Sequence, residues 1–377
     1  MKIVADMNIP YVKEAFKEFG EIELISGRKI TNKNIKDVDI LLVRSVTKVN
    51  KDLLDNSKVK FIGTATIGFD HIDIEYLKAN NIFFTSAPGS NADSVAEYII
   101  SGLLNLSKKY NFNLKEKKIG IIGVGNVGSR VKKRLQILGV ECLLNDPPKK
   151  RETHDEIYLS LDEVLKASDI ITVHVPLNKS GIDATFHLID DYFISKMKNN
   201  SILINTSRGK IMDESAIKKN RKKLLALVLD VWETEPKVNI ETLEITDIAT
   251  PHIAGYSFDG KVKGTEMIYN AACDFFKKEK KWDKREFIKS EKELIIDLIN
   301  SIDPVYDAVN SAYPIMLDDK KLREIKKVKN NEREKFFDDL RKKYPKRREF
   351  YNYSLLYDKK IKKESINILS KFGFLIK

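Results

Sequence analysis

The stretch Ile119-Gly120-Ile121-Ile122-Gly123-Val124-Gly125-Asn126-Val127-Gly128 decides the fold. A short aliphatic run ends in glycines spaced G-x-G-x-x-G, and an amphipathic segment, Val127–Leu138, follows with helical period. In that setting Gly123 permits a tight turn, Gly125 lets a diphosphate approach the backbone, and Gly128 lets helix and strand pack closely. Asn126 and Val127 open the helix, whose free N–H groups and partial positive charge favour an anion. The next strand, Glu141–Asn145, runs into Asp146, about 20 residues on, where an acidic side chain receives the adenosine ribose. A carboxylate there repels a 2′-phosphate, so NAD is expected over NADP, although Lys149, Lys150 and Arg151 lie just beyond.

Outward from this unit, short β-branched runs alternate with amphipathic segments, the order of an α/β protein with largely parallel strands. Upstream, Lys2–Asp6, Asp39–Arg44, Lys60–Gly63 and Ile82–Thr85 read as strands, and Tyr11–Phe19 and Ile74–Lys78 as helices. Ala92–Lys109 carries Val95, Ile99, Leu103 and Leu106 at helical spacing and is expected to bridge two domains. Downstream come strands Asp169–Val175, Ser201–Thr206, Leu224–Val231 and Asp247–Ala249, with helices Leu161–Ala167, Tyr192–Met197 and Glu214–Lys219. A long helix, Gly260–Lys278, is expected to return the chain to the first unit. From about residue 285 charged helix patterns mix with aromatics, which suggests a separate appendage.

Composition excludes several classes. With 377 residues, 42% hydrophobic and 32% charged, the chain is neither collagen-like nor wholly disordered, and its length suits two or three domains. No apolar run approaches the roughly 18 residues of a membrane span, and Met1–Asp6 lacks the long apolar region of a secretory signal. Cys142 and Cys273 are the only cysteines, expected as reduced core thiols of a cytoplasmic protein. The formal charge of +12 raises the question of nucleic acid. Yet the densest basic run, Lys320–Arg348, is broken by Glu324, Glu332, Glu334, Asp338 and Asp339 in the manner of a solvated helix face. A charged surface or a small anionic substrate is expected instead, with neither nucleic acid nor membrane as partner.

Open doubly wound sheets bind ligands beyond the carboxyl ends of their strands. Three stretches fall there: Asn205-Thr206-Ser207-Arg208-Gly209, Asp230 to Glu235-Pro236, and Pro251-His252 to Gly255-Tyr256. Arg208 offers a planar fork for a carboxylate, Glu235 a partner for an imidazole, and His252 a group that exchanges protons near neutral pH. No His, Cys and acidic residues have metal-ligand spacing, so no metal is expected. His71 is read as a support of the loop near Thr66, and His154, His174 and His187 as structural or exposed.

The fingerprint followed by Arg208, Glu235 and His252 in that order resembles the D-isomer-specific 2-hydroxyacid dehydrogenases. The resemblance extends through Val43–Val49, Gly63–His71, Asn145–Pro148, Leu229–Glu233 and His252–Tyr256. Tyr344–Phe350 is similar to a subgroup of that family which carries a C-terminal dimerisation domain. The resemblance implies a flavodoxin-like substrate domain over 1–92, completed by 257–284. It implies a Rossmann-like NAD domain over 93–256 and a C-terminal α+β dimerisation domain over 285–377. It also implies oxidation at C2 of a small phosphorylated 2-hydroxy acid by a homodimer. His252 would take the hydroxyl proton, Glu235 would orient its ring, and Arg208 would bind the carboxylate and C2 oxygen. Ser45, Thr66 and Tyr256 become substrate contacts, and Thr206, Ser207, Asp230 and Gly255 cofactor contacts. Val175 stands where the family has Thr, so its contact with the cofactor would come from backbone.

A phosphate at the far end of such a substrate needs a second cationic place, for which Arg44, beside Ser45, and Arg347, beside Arg348, are the expected donors. Two alternatives stay open at this point. One is the same chemistry on another acid, such as 3-phosphoglycerate or an unphosphorylated one. The other is a dinucleotide-sensing regulatory protein.

Overall fold

Ile40–Val43, four consecutive aliphatics with no exposed surface, form the centre of the first sheet in a computed structural model that describes residues 1–288 and 293–377. The strands are β1 (Lys2–Asp6), β2 (Glu21–Ile25), β3 (Ile40–Val43), β4 (Phe61–Thr64) and β5 (Phe83–Thr85). All pair in parallel in the flavodoxin-like order β2-β1-β3-β4-β5. Alternate side chains leave opposite faces, as a pleated strand requires. Ile3, Ala5, Ile40 and Leu42 meet Ile268, Tyr269, Ala272 and Cys273 of the helix Phe258–Phe276 on one face. Val4, Leu41, Val43 and Ile62 meet Ile35, Leu53 and Leu77 on the other. β2 was not expected: with two glutamates in five residues and no fully buried position, it is an edge strand without an apolar run.

The second sheet holds β6 (Lys118–Ile122), β7 (Glu141–Asn145), β8 (Ile170–Val173), β9 (Ser201–Asn205), β10 (Leu224–Leu229) and β11 (Ile248–Ala249). Its order is β11-β10-β9-β8-β6-β7, again parallel throughout. Beyond β7 a single bridge, Leu144 to Tyr158, stands in the outermost place of a Rossmann sheet. After β6 the chain turns to β7 on one side and returns as β8 on the other, so the glycine fingerprint lies at the switch point.

Contacts divide the chain into two units, Met1–Asn91 with Ser257–Lys292 and Ala92–Tyr256 with Glu293–Lys377. The segment 285–377, expected as a C-terminal domain, packs from Glu293 onward within the second unit; its residues 289–292 lie outside the described residues. It adds a small parallel sheet of β12 (Leu294–Asp297), β13 (Tyr353–Leu356) and β14 (Leu375–Ile376). Tyr313, Ile315, Phe350, Leu355 and Phe372 share one core with Leu103 and Leu106 of the helix Ala92–Tyr110 and with Ile119 and Ile121 of β6. Aromatic anchors spaced through a charge-rich stretch bury what the charge pattern presents as a solvated tail.

A buried ion cluster fastens this junction. Glu97, with no exposed surface, accepts from Arg347 Nη1 at 3.0 Å, Phe350 N at 2.9 Å and Arg134 Nη2 at 3.4 Å. Arg347 also bonds Ser94 and lies 4.0 Å from the ring centre of Tyr313. The expectation that Arg347 binds substrate is accordingly corrected: at 7% exposure its guanidinium serves the interior. Removing one partner of such a cluster strands buried charge, which costs about 3–5 kcal/mol. Glu97→Ala is expected to lose stability on that scale in urea denaturation, with the C-terminal segment the first part cut by a protease.

Candidate active site

Because every strand of the second sheet runs the same way, its sequence candidates fall along one carboxyl edge in the order of the strands. Asp146 follows β7, the fingerprint β6, Val175 β8, Thr206 to Arg208 β9, Asp230 to Glu235 β10, and His252 β11.

At the fingerprint, Gly123 has φ +86°, in the left-handed region that disfavours other residues. A Cβ on Gly128 would lie 2.0 Å from Gly123 O, so only glycine allows this turn to close on the helix Asn126–Ile137. Gly125 is the opposite case: it is exposed, with nothing within 4 Å of where a Cβ would stand. That open backbone at a helix start fits the diphosphate of a dinucleotide. Asn126 is likewise exposed and Val127 half-buried. Asp146 braces the loop, accepting from Val124 N at 2.8 Å and Lys149 N at 3.1 Å. The basic residues beyond it are engaged: Lys149 Nζ donates to Val124 O at 2.6 Å, Lys150 pairs with Glu156 and Arg151 with Asp183. The adenosine end thus presents a carboxylate, which suits NAD.

Next along the edge, Val175 is half-buried at the end of its strand. His174 beside it was passed over as structural or exposed, yet it bonds Thr172 Oγ1 at 2.9 Å and Thr206 Oγ1 at 3.4 Å. Burial pushes its imidazole down to about 3, so it stays neutral and orients Thr206. Ser207 N and Oγ both donate to Asn205 Oδ1, at 3.0 and 2.7 Å, while Asn205 Nδ2 donates to Arg208 O at 3.1 Å. Asn205, absent from the sequence candidates as a site residue, therefore shapes the turn that presents Arg208.

That turn lies against the loop after β10. A Cβ on Gly209 would stand 1.7 Å from Trp232 O, so this close approach admits glycine alone. Glu214 and Glu233 cap each other's backbone N–H at 3.1 Å, and Glu233 Oε1 pairs with His187 Nε2 at 2.9 Å. No sequence signal separated these two acids from ordinary helix-start and loop residues.

Glu235 and His252 meet directly: Oε2 and Nδ1 are 2.7 Å apart, and Oε1 accepts from Trp232 N at 2.8 Å. Burial pushes the Glu235 carboxyl up, but the charge and hydrogen bond of His252, then Trp232 N and Arg341, outweigh it and hold the group below its ordinary value. A carboxylate on Nδ1 leaves Nε2 as the atom that exchanges a proton. Asp230 anchors the arrangement. Its backbone oxygen accepts from His252 N at 2.7 Å, and its carboxylate from Ile253 N and Ala254 N at 2.8 Å. Tyr256 N closes the turn onto Ile253 O at 2.7 Å, with Gly255 half-buried between. Arg208 Nη1 donates to Ser207 O at 2.8 Å.

In the first unit, Arg44 and Ser45 follow β3, with Arg44 half-buried and Ser45 exposed. Thr66 follows β4, its hydroxyl bonded to Thr64 Oγ1 at 2.7 Å and to Gly68 O at 3.0 Å. His71 Nε2 reaches Thr64 Oγ1 at 3.2 Å. Among the described residues no group of three or more His, Cys, Asp or Glu forms a metal site. Among the described residues no helix is long and apolar enough to cross a membrane.

Residues 95–254 match the D-isomer specific 2-hydroxyacid dehydrogenase NAD binding domain, and residues 296–373 match a domain of unknown function. Erythronate-4-phosphate dehydrogenase of Salinibacter ruber is 41% identical over 94% of each chain. Its namesake from Proteus mirabilis is 41% identical over 99% of each. The D-lactate dehydrogenase of Aquifex aeolicus, solved with NAD and lactic acid, is 30% identical with TM-score 0.61, covering 74% of this chain and 96% of its own.

The glycines separate two effects. Gly125→Ala is expected to melt like the parent while NAD binding weakens about tenfold or more, because the added methyl meets only the ligand. Gly209→Ala is expected to cost several kcal/mol, on the order of other severe steric changes, and to abolish turnover. Thermal melts and fluorescence titration with NAD distinguish them.

Proposed function

The chain belongs to the D-isomer-specific 2-hydroxyacid dehydrogenases, and from that premise we propose that it oxidises 4-phospho-D-erythronate at C2 with NAD. The product is 2-oxo-3-hydroxy-4-phosphobutanoate, and the step belongs to pyridoxal 5′-phosphate biosynthesis. The observation that carries this reading is the 2.7 Å His252–Glu235 pair on the sheet edge that holds the fingerprint, in a chain 41% identical end to end to a named erythronate-4-phosphate dehydrogenase.

His252 Nε2 takes the proton of the C2 hydroxyl, and Glu235 at Nδ1 stabilises the imidazolium that results. NAD, when bound, supplies the acceptor for the hydride that leaves C2. Arg208 grips the substrate carboxylate with its fork and fixes which face of C2 is offered. Gly123, Gly125, Asn126, Val127 and Gly128 would hold the diphosphate, and Asp146 the adenosine ribose. Val175, Thr206, Ser207, Asp230 and Gly255 would hold or shape the nicotinamide end. Tyr256, Ser45 and Thr66 would complete the substrate contacts, with Arg44 receiving the phosphate.

We further read the protein as a cytoplasmic homodimer. The support is one face of the third sheet, where Ile295 and Leu375 stand on the same side in register and are 57% and 51% exposed, with Leu356 beside them. Exposed neighbouring apolar residues of this kind mark an association surface. The double change Ile295→Glu and Leu375→Glu is expected to give monomers by light scattering, with the fold kept.

NADH appearance with 4-phosphoerythronate, and its absence with 3-phosphoglycerate or lactate, tests the substrate. A chain that binds NAD but turns over none of these is a sensor, and the proposal fails. Arg44→Ala is expected to raise KM about tenfold or more for the phosphorylated acid and far less for erythronate, since only the former loses a charge-assisted bond. Equal losses with both would move the phosphate elsewhere.

A further inference from the structure

Two parts of the chain that match separate family models meet at the shortest strand of the second sheet. β11 (Ile248–Ala249) lies at that sheet's edge beside β10, and Ala249 stands three residues before His252. The strand falls within residues 95–254, whereas the helix Ile315–Arg323 falls within residues 296–373. An edge strand leaves backbone groups open on its outer side. Thr250 N donates inward, to Leu229 O of β10 at 3.0 Å, so the N–H of Ala249 one residue earlier faces outward. There it donates to Asp319 Oδ1 of the C-terminal helix at 2.8 Å.

Asp319 is itself firmly placed. It is 6% exposed, and Arg323 grips it with two bonds of 2.9 Å, Nε to Oδ2 and Nη2 to Oδ1. A carboxylate out of water is costly unless a well-oriented cation meets it, and such a fork is the geometry that does so. The same guanidinium donates to Leu243 O at 3.2 Å and to Thr246 O at 2.7 Å, at the end of the helix Ile240–Ile245 that leads into β11. Leu322, from the turn between these two side chains, shares a core with Leu243 and Ala249. One acid and one base of the C-terminal segment thus grip the approach to His252 at two places.

We propose that Asp319 is a positioning residue of the active site: by taking the N–H of Ala249 it fixes where β11 ends, and so where His252 stands against Glu235. The inference rests on His252 being the base. The other bonds of this stretch tie it to β10 and the loop beyond: His252 N donates to Asp230 O at 2.7 Å, Thr250 Oγ1 to Asp230 Oδ1 at 2.6 Å, and Trp232 Nε1 to Thr250 O at 3.0 Å. Asp319 supplies the hold on the outer side, where a strand of two residues is otherwise able to swing. A base displaced by about 1 Å loses on the order of a hundredfold in rate, so a small swing reaches the chemistry.

Hydrogen exchange read by mass spectrometry, on the full-length chain without ligands, tests the contact. In Asp319→Leu, which keeps the volume but removes the acceptor, amides of residues 248–256 are expected to exchange about tenfold faster or more, with those of β6 and β7 unchanged. With 4-phosphoerythronate, single-turnover NADH appearance is expected to slow about tenfold or more and kcat/KM to fall by the same factor, with NAD affinity within about twofold of the parent. Asp319→Asn keeps an oxygen for Ala249 N and is expected to restore the rate to within about threefold. Parental exchange over residues 248–256 in Asp319→Leu overturns the proposal, as does a parental rate in that variant or an Asp319→Asn as slow as Asp319→Leu. Faster exchange spread evenly over residues 296–373 overturns it too, because the segment has then come away as a whole. If Asp319→Leu and Asp319→Ala both fail to fold, the carboxyl group serves the scaffold and the proposal is likewise overturned. The exchange experiment needs no substrate, so its result stands apart from any failure of 4-phosphoerythronate to turn over.

Discussion

The buried carboxylate of Asp230 is the constraint on which the site depends. It ends β10, has 1% exposure, and receives Thr250 Oγ1 at 2.6 Å together with the N–H groups of Ile253 and Ala254. Burial outweighs the charge of His252 and these donors and leaves it raised to about 6. Three donors in a dry place make the loop geometry unusually well determined, and His252 is thereby held at φ +57°, a conformation a non-glycine residue adopts only when its surroundings insist. The imidazole faces Glu235 because the backbone has been fixed first. A residue expected to touch the cofactor thus has a prior task in building the loop that carries the base.

Most of the fold was legible because its signals are local. A strand, three glycines and a helix declare the switch point, and the buried strands β3, β8, β9 and β10 appear as largely aliphatic runs of the right length. Strands without such runs were not legible. β2 carries Glu21 and Glu23, and the outermost position of the second sheet has shrunk to the bridge at Tyr158. Both are edges, where one side of the strand needs no apolar neighbour, so period and hydrophobicity carry little.

In the site, residues that follow strands were legible as a set, since parallel strands deliver their carboxyl ends to one edge whatever lies between. The second tier was not. Asn205 acts on the N–H of Ser207 in its own turn, and Glu214 and Glu233 on each other's backbone N–H across 19 residues, and nothing in residue type announces such partners. The C-terminal segment hid the most. Arg347 is a buried cation and Arg341 a half-buried one in a stretch that reads as a solvated face, and charge counting treats them like their exposed neighbours Lys342 and Lys346. One joins Glu97 in the interior; the other reaches Tyr256.

Three imidazoles lie near this edge, and the structure separates them by what their partners are free to do. His174 is driven neutral by burial and bonds only hydroxyls, so it can orient Thr206 but has no anion to support a positive charge. His187 has an anion, Glu233, but the other oxygen of that carboxylate caps the N–H of Glu214, and the ring stacks on Phe186 with centres 4.1 Å apart. That pair joins two loops. His252 alone combines a carboxylate at Nδ1 with a partner whose remaining oxygen takes only a neighbouring backbone N–H. Its side chain is 29% exposed and that of Glu235 is 20% exposed. A fully buried base would have nowhere to send its proton, and a fully exposed one would lose the orientation that makes it effective. The half-buried pair meets both demands, and the loop that carries it is the one Asp230 holds through Ile253 N and Ala254 N.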